Sequence, residues 1–175
     1  MRTDIVFTLT GTDRIGIVEE VTGVLLGLEG NVETSRMVRL GGEFALLMLV
    51  SLPAERFTEL DSAVSALIAE GYRVTTSPTQ QPDAQHGGWL PYKVSVVGAD
   101  HEGIIHEIAH GLSQRGINIE SMDTGTAEAP VTGAPLFSMT ALVLVPPHVA
   151  EDDWIGALAE AGDQANVDIE VTAGA

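Results

Sequence analysis

Apolar and polar positions alternate from Asp4 to Thr10, with Ile5, Phe7 and Leu9 on one side, and the pattern predicts a strand. Gly11 and Asp13 interrupt it. The period then becomes helical: Ile17, Val18, Val21, Val24, Leu25 and Leu28 form a stripe, Asp13 is placed to cap it, and Glu29-Gly30 ends it. Asn31 to Leu40 and Glu43 to Leu52 read as strands joined by Gly41-Gly42, a hairpin dipeptide. Pro53 opens a second helix with Phe57, Leu60, Val64, Leu67 and Ile68 on one face. Gly71 ends that helix, and Tyr72 to Ser77 gives a last strand. The order is β-α-β-β-α-β.

The pattern then restarts. Tyr92 to Val97 is a strand, and Ile104, Ile105, Ile108 and Leu112 make a helical stripe. Asn118 to Ala127 and Leu136 to Val145 are strands, Pro146-Pro147 precedes a helix bearing Trp154, Ile155, Leu158 and Ala161, and Val167 to Thr172 closes the copy. Glu128 to Pro135 is a longer loop where the first copy has its tight turn. Between the copies, residues 78–91 are rich in Pro, Gly and Gln and read as a linker, with Trp89 and Leu90 expected to tuck against a domain. The expected organisation is a first domain over 1–78, a linker over 79–91 and a second domain over 92–175.

The wording repeats with the pattern. Residues 11–34 align without a gap on 98–121, at an offset of 87: Gly11, Asp13, Gly16, Ile17, Glu20, Leu25, Asn31 and Glu33 recur as Gly98, Asp100, Gly103, Ile104, Glu107, Leu112, Asn118 and Glu120. The fold class is therefore α+β: two tandem ferredoxin-like βαββαβ domains, each an antiparallel sheet with helices on one face. The other face and the sheet edges are left to pair with a second copy.

Charge narrows the function. The net charge is −17 over 175 residues; residues 1–80 carry six basic and 11 acidic side chains, residues 81–175 two and 14. Such a surface repels phosphate backbones, so no direct nucleic-acid contact is expected. It serves solubility or faces a basic protein partner. There is no cysteine, which removes thiol chemistry and suits the cytoplasm. The first residues lack the pattern of a signal peptide, and no apolar stretch approaches a membrane span. No phosphate-binding loop, dinucleotide fingerprint or nucleophile elbow occurs.

Asp13-Arg14-Ile15-Gly16-Ile17 with Gly30-Asn31-Val32, and Asp100-His101-Glu102-Gly103-Ile104 with Gly116-Ile117-Asn118-Ile119, resemble the strand–loop–helix junction of the ACT domain. The usual wording there is close to D-R-P-G-hydrophobic followed by G-x-N-hydrophobic. With Gly133 to Phe137 leading into the third strand of the second copy, a chain of two such domains is similar to the glycine cleavage system transcriptional repressor family. The loop proline is Ile15 in one copy and Glu102 in the other. The resemblance implies a small amino-acid effector, glycine by subfamily, bound at an interface between two ACT copies. It also implies a homodimer, a protein partner such as a transcription activator, no cofactor and no catalysis. The ligand-binding residues it implies are Asp13, Arg14, Ile15, Gly16, Ile17, Val18 and Asn31 in the first copy. In the second they are Asp100, His101, Gly103, Ile104, Ile105 and Asn118. A helix N-terminus suits a carboxylate, and a glycine admits a ligand close to the backbone. The same residues have structural readings: the aspartates as helix caps, the glycines as close-packing positions, the asparagines as turn formers. The alternative function is a ligand-free interaction module.

His106-Glu107-Ile108-Ala109-His110 matches the zinc-protease H-E-x-x-H. The repeat places it on the first helix of the second copy, where Ile104, Ile105, Ile108 and Leu112 take the core side. Both histidines are then expected to face solvent, without a third ligand, and no metal site is expected.

Overall fold

The computed structural model describes residues 1–79, 86–129 and 133–174. Residues 80–85 of the expected linker, 130–132 of the long loop and Ala175 lie outside the described residues. The chain divides into two units, residues 1–82 and 83–175.

The first unit runs β1 (Arg2–Thr12), α1 (Ile17–Gly27), β2 (Asn31–Leu40), β3 (Glu43–Pro53), a 3-10 segment (Ala54–Glu59), α2 (Leu60–Ala63), α3 (Ser65–Ala69) and β4 (Arg73–Thr79). The second runs β5 (Leu90–Ala99), α4 (Ile104–Ser113), β6 (Asn118–Glu128), β7 (Pro135–Val145), α5 (Glu151–Ala165) and β8 (Val167–Ala173). The sheets have the orders β2-β3-β1-β4 and β6-β7-β5-β8, with every pairing antiparallel. Two tandem ferredoxin-like units are thus the architecture, as the periodicity predicts.

Each unit has its own core, because alternation turns every second strand residue toward the helices. Ile5, Phe7, Leu9, Met48 and Val50 meet Ile17, Val21 and Leu25 in the first; Val94, Val96, Ala141 and Val143 meet Ile108, Leu112, Trp154 and Leu158 in the second. Glu33 and Glu120, paired in the repeat, are the residues skipped by the β2–β3 and β6–β7 registers, so each marks a β-bulge. Gly11 and Gly98 have a packing reason. A Cβ on Gly11 would lie 2.5 Å from Tyr72 Cδ1, and one on Gly98 would lie 2.6 Å from Val167 Cγ1 and 2.9 Å from Val167 Cα.

Several local expectations differ from the structure. The second helix of the first unit is not continuous but breaks into the 3-10 segment, α2 and α3. Ile68 is 50% exposed and Ile105 43% exposed, so neither belongs to the core stripe. The helix surface buries only the i, i+4, i+8 row here, Ile17–Val21–Leu25 and Ile104–Ile108–Leu112. Leu90 is half exposed rather than tucked in, while Trp89 is half-buried with its ring edge-on to His86.

Candidate functional site

The two β–α loops start alike. The Asp13 N–H donates to the Gly42 carbonyl at 3.0 Å, and the Asp100 N–H to the Pro135 carbonyl at 3.1 Å, so each loop is anchored on the neighbouring hairpin or its counterpart. Neither aspartate caps its helix. The N-cap positions are Gly16 (φ 91°) and Gly103 (φ 97°), both left-handed, and no side chain caps either helix. A Cβ at either glycine would meet nothing within 4 Å. Backbone conformation, not crowding, therefore calls for glycine. The first helical bonds run from the Glu20 N–H to the Gly16 carbonyl and from the Glu107 N–H to the Gly103 carbonyl. The amides before them, in Ile17, Val18, Ile104 and Ile105, have no intrahelical acceptor.

Beyond this the loops diverge. In the first, Arg14 donates to Glu20 and, at 2.7 Å, to Glu70, and its guanidinium lies 5.6 Å from the Tyr72 ring centre. The hydrogen bond to Glu20, with Glu70 behind it, holds the Arg14 pKa above its ordinary value. Tyr72 Oη donates to the Thr12 carbonyl at 2.9 Å. The Asp13 carboxylate accepts from Arg39 Nε at 2.6 Å. Ile15 projects fully into solvent and Val18 is 37% exposed.

In the second loop, His101 stands where the first has Arg14. Its Nε2 lies 2.6 Å from the Ala165 carbonyl oxygen, at the last residue of α5, and its Nδ1 lies 3.0 Å from the Glu102 carbonyl oxygen. Two acceptors face the two ring nitrogens, so only the imidazolium satisfies both. The Ala165 carbonyl first, then that of Glu102 and the charge of Asp100, raise the His101 pKa above its ordinary value. Thr126, at the position of Arg39, offers Asp100 only a hydroxyl at 3.5 Å.

Beside this loop lies a groove of about 640 Å³. Asp100, His101, Gly103, Ile104 and Ile105, all expected from sequence, line it. So do Glu102, His106, Ala109 and Phe137, which the motif did not single out as ligand-binding residues. Phe137 comes from β7, and only the β5–β7 register, which sets it opposite Gly98, brings it to the loop.

The asparagines lie elsewhere. Asn31 pairs with Ser51, which pairs with Asp4 at the start of β1, whereas Asp13 follows the end of β1. Asn118 pairs with Leu144, opposite Pro91 near the start of β5, whereas Asp100 follows its end. Eight residues lie between the two places, nine rises or about 30 Å of extended chain. One small ligand cannot touch both the loop and the asparagine of the same unit. Neither asparagine side chain has a hydrogen-bond partner among the described residues. Arg2, which the motif did not include, brings a cation to the Asn31 end, donating to the Glu29 carbonyl at 3.1 Å and to Ser51.

His106 and His110 are both exposed, with near-parallel rings 6.1 Å apart. Among the described residues no group of three or more His, Asp or Glu side chains could hold a metal ion, and no helix is long and apolar enough to cross a membrane.

The family model of the ACT domain matches residues 3–71. The chain is 32% identical to an "unknown protein" from Galdieria sulphuraria, whose crystal structure it matches over 100% of both chains with a TM-score of 0.88. It is 22% identical to a candidate glycine cleavage system transcriptional repressor, over 98% of this chain and 97% of that one, with a TM-score of 0.71. At that identity the second likeness concerns the fold. No curated protein matches the chain.

Proposed function

We propose that this chain, whose residues 3–71 match the ACT-domain family model and whose second unit has the same topology, is a non-catalytic regulatory protein that senses a small amino acid. The observation that carries the reading is the groove at residues 100–105, open beside the Asp100 carboxylate, whose one hydrogen bond among the described residues is to the Thr126 hydroxyl at 3.5 Å. The Asp100 carboxylate receives the ligand's ammonium group. The amides at the start of α4, which have no intrahelical acceptor, favour its carboxylate. Asn118 lies at the far end of β5, so it reaches a ligand only from a second copy of the chain. The effector site is therefore shared in a homodimer, and ligand binding favours one arrangement of the copies. The output is contact with a protein such as a transcription activator. A net charge of −17 disfavours direct DNA contact.

In the first unit the loop's own groups already occupy one another: Arg39 holds Asp13, and Glu20 and Glu70 hold Arg14. That observation favours the structural reading for this half, as a pairing module without a ligand.

A thermal-shift screen against the twenty amino acids tests the proposal, because a ligand specific to the folded state raises the midpoint. The expected result is a selective rise that disappears in Asp100→Asn and in Asn118→Ala and persists in Asp13→Asn. A flat response at millimolar ligand would sink the sensor reading and leave the interaction module.

A further inference from the structure

We infer that the groove beside α4 takes an amino acid with an apolar side chain, in preference to glycine. The inference rests on the sensor reading and deepens it. The groove is open and runs from the loop at Asp100 along α4 past Ile105 to Ala109, further than a glycine extends. Its wall is predominantly carbon, from Ile104, Ile105, Ala109 and Phe137, with the charged groups gathered at the loop end. A ligand with a charged head and an apolar body matches that division.

Ile105 makes the strongest single point. Helical periodicity would assign it to the core, yet it is 43% exposed and lines the groove. The first unit shows what changed. At the repeat positions of His106 and Ala109 it carries Glu19 and Thr22. The Thr22 hydroxyl donates to the Val18 carbonyl at 2.8 Å. The second unit thus replaces a carboxylate and a bonded hydroxyl with an imidazole and a methyl group, which removes a carboxylate and a hydroxyl that an apolar side chain would have to desolvate.

Calorimetric titration of the 175-residue chain with glycine, L-leucine and L-phenylalanine tests the inference. The expected result is at least about tenfold tighter binding of leucine or phenylalanine than of glycine, since each buried methylene adds severalfold in affinity. In Ile105→Ser and Ala109→Gln, both at positions with solvent exposure, the leucine-to-glycine ratio should fall toward one while the circular dichroism spectrum is kept. Glycine binding as tightly as leucine would overturn the inference and leave the sensor reading intact. A preference for leucine that neither variant alters would overturn the placement in this groove. No binding of any amino acid would overturn both.

Discussion

Arg14 and His101 occupy the same position in the repeat, yet they fasten their loops by different chemistry. Arg14 reaches two carboxylates and an aromatic ring with a charge that is permanent at any ordinary pH. His101 reaches two backbone carbonyls with a charge that it can lose. A second exchange accompanies the first: Arg39 neutralises Asp13, while its counterpart Thr126 offers Asp100 a hydroxyl and no charge. Duplicated wording therefore preserves the loop's backbone while its side chains separate into a self-satisfied loop and an open one.

The largest effect expected from breaking the symmetry is at the paired glycines. Gly98→Ala drives a Cβ into the backbone as well as the side chain of Val167, and should cost about 2–3 kcal/mol. Gly11→Ala meets only the Tyr72 ring, which can move, and should cost about 1–2 kcal/mol. Urea unfolding measures both. Trp89 and Trp154 both lie in the second half, so fluorescence follows that unit and amide exchange follows the first. Tyr72→Leu should recover part of the Gly11→Ala loss, whereas Val167→Ala should not restore Gly98→Ala. Full recovery in the second case would show that the backbone contact is unimportant.

A smaller effect separates the two fastenings by pH. The folded-state pKa of His101 is raised by the Ala165 and Glu102 carbonyls. Its contribution is then fully present below its ordinary value, about 6.5, and is lost as pH rises through the higher folded value. Beyond the intrinsic acceleration of exchange, amides at 100–103 should lose protection as the pH is raised above about 6.5, while those at 13–16 keep theirs. His101→Arg should remove the pH dependence. Equal behaviour of the two loops would contradict the contrast between them.

The smallest effect is expected at Arg39, whose side chain is 68% exposed. Arg39→Ala should move the melting temperature by no more than about 2 °C, as exposed ion pairs contribute little. A drop of several degrees would mean that the Asp13–Arg39 pair holds the first unit together rather than merely occupying a carboxylate.

Much of this was legible in the chain. The switch between periods of two and 3.6 gave the element order of both units, and Gly41-Gly42 gave the hairpin. Gly11, Gly98, Glu33 and Glu120 stood out only as repeated identities, and the structure shows that two are close contacts and two are bulges. Other readings failed for local reasons. Asp13 has the composition of a cap, but the left-handed Gly16 takes that place. The expected helix after Pro53 is broken near Ser62 and Ser65, where the Ser65 hydroxyl donates to the Ser62 carbonyl at 2.7 Å, a competing bond that serines favour. Phe137 and Ala109 carried no motif signal, because a groove wall is defined by shape.

The sequence by itself determined two copies of one fold and the order of elements in each. These follow from the order of apolar, polar and glycine positions within each short stretch of chain. Only the tertiary structure decided which loop is closed and which is open. Arg14 meets Glu70 across 56 residues and His101 meets Ala165 across 64, and strand register carries Asn31 and Asn118 away from the loops. Partners that far apart in the chain are chosen by packing, because the energy of a contact depends on where the folded sheet and helices place each group.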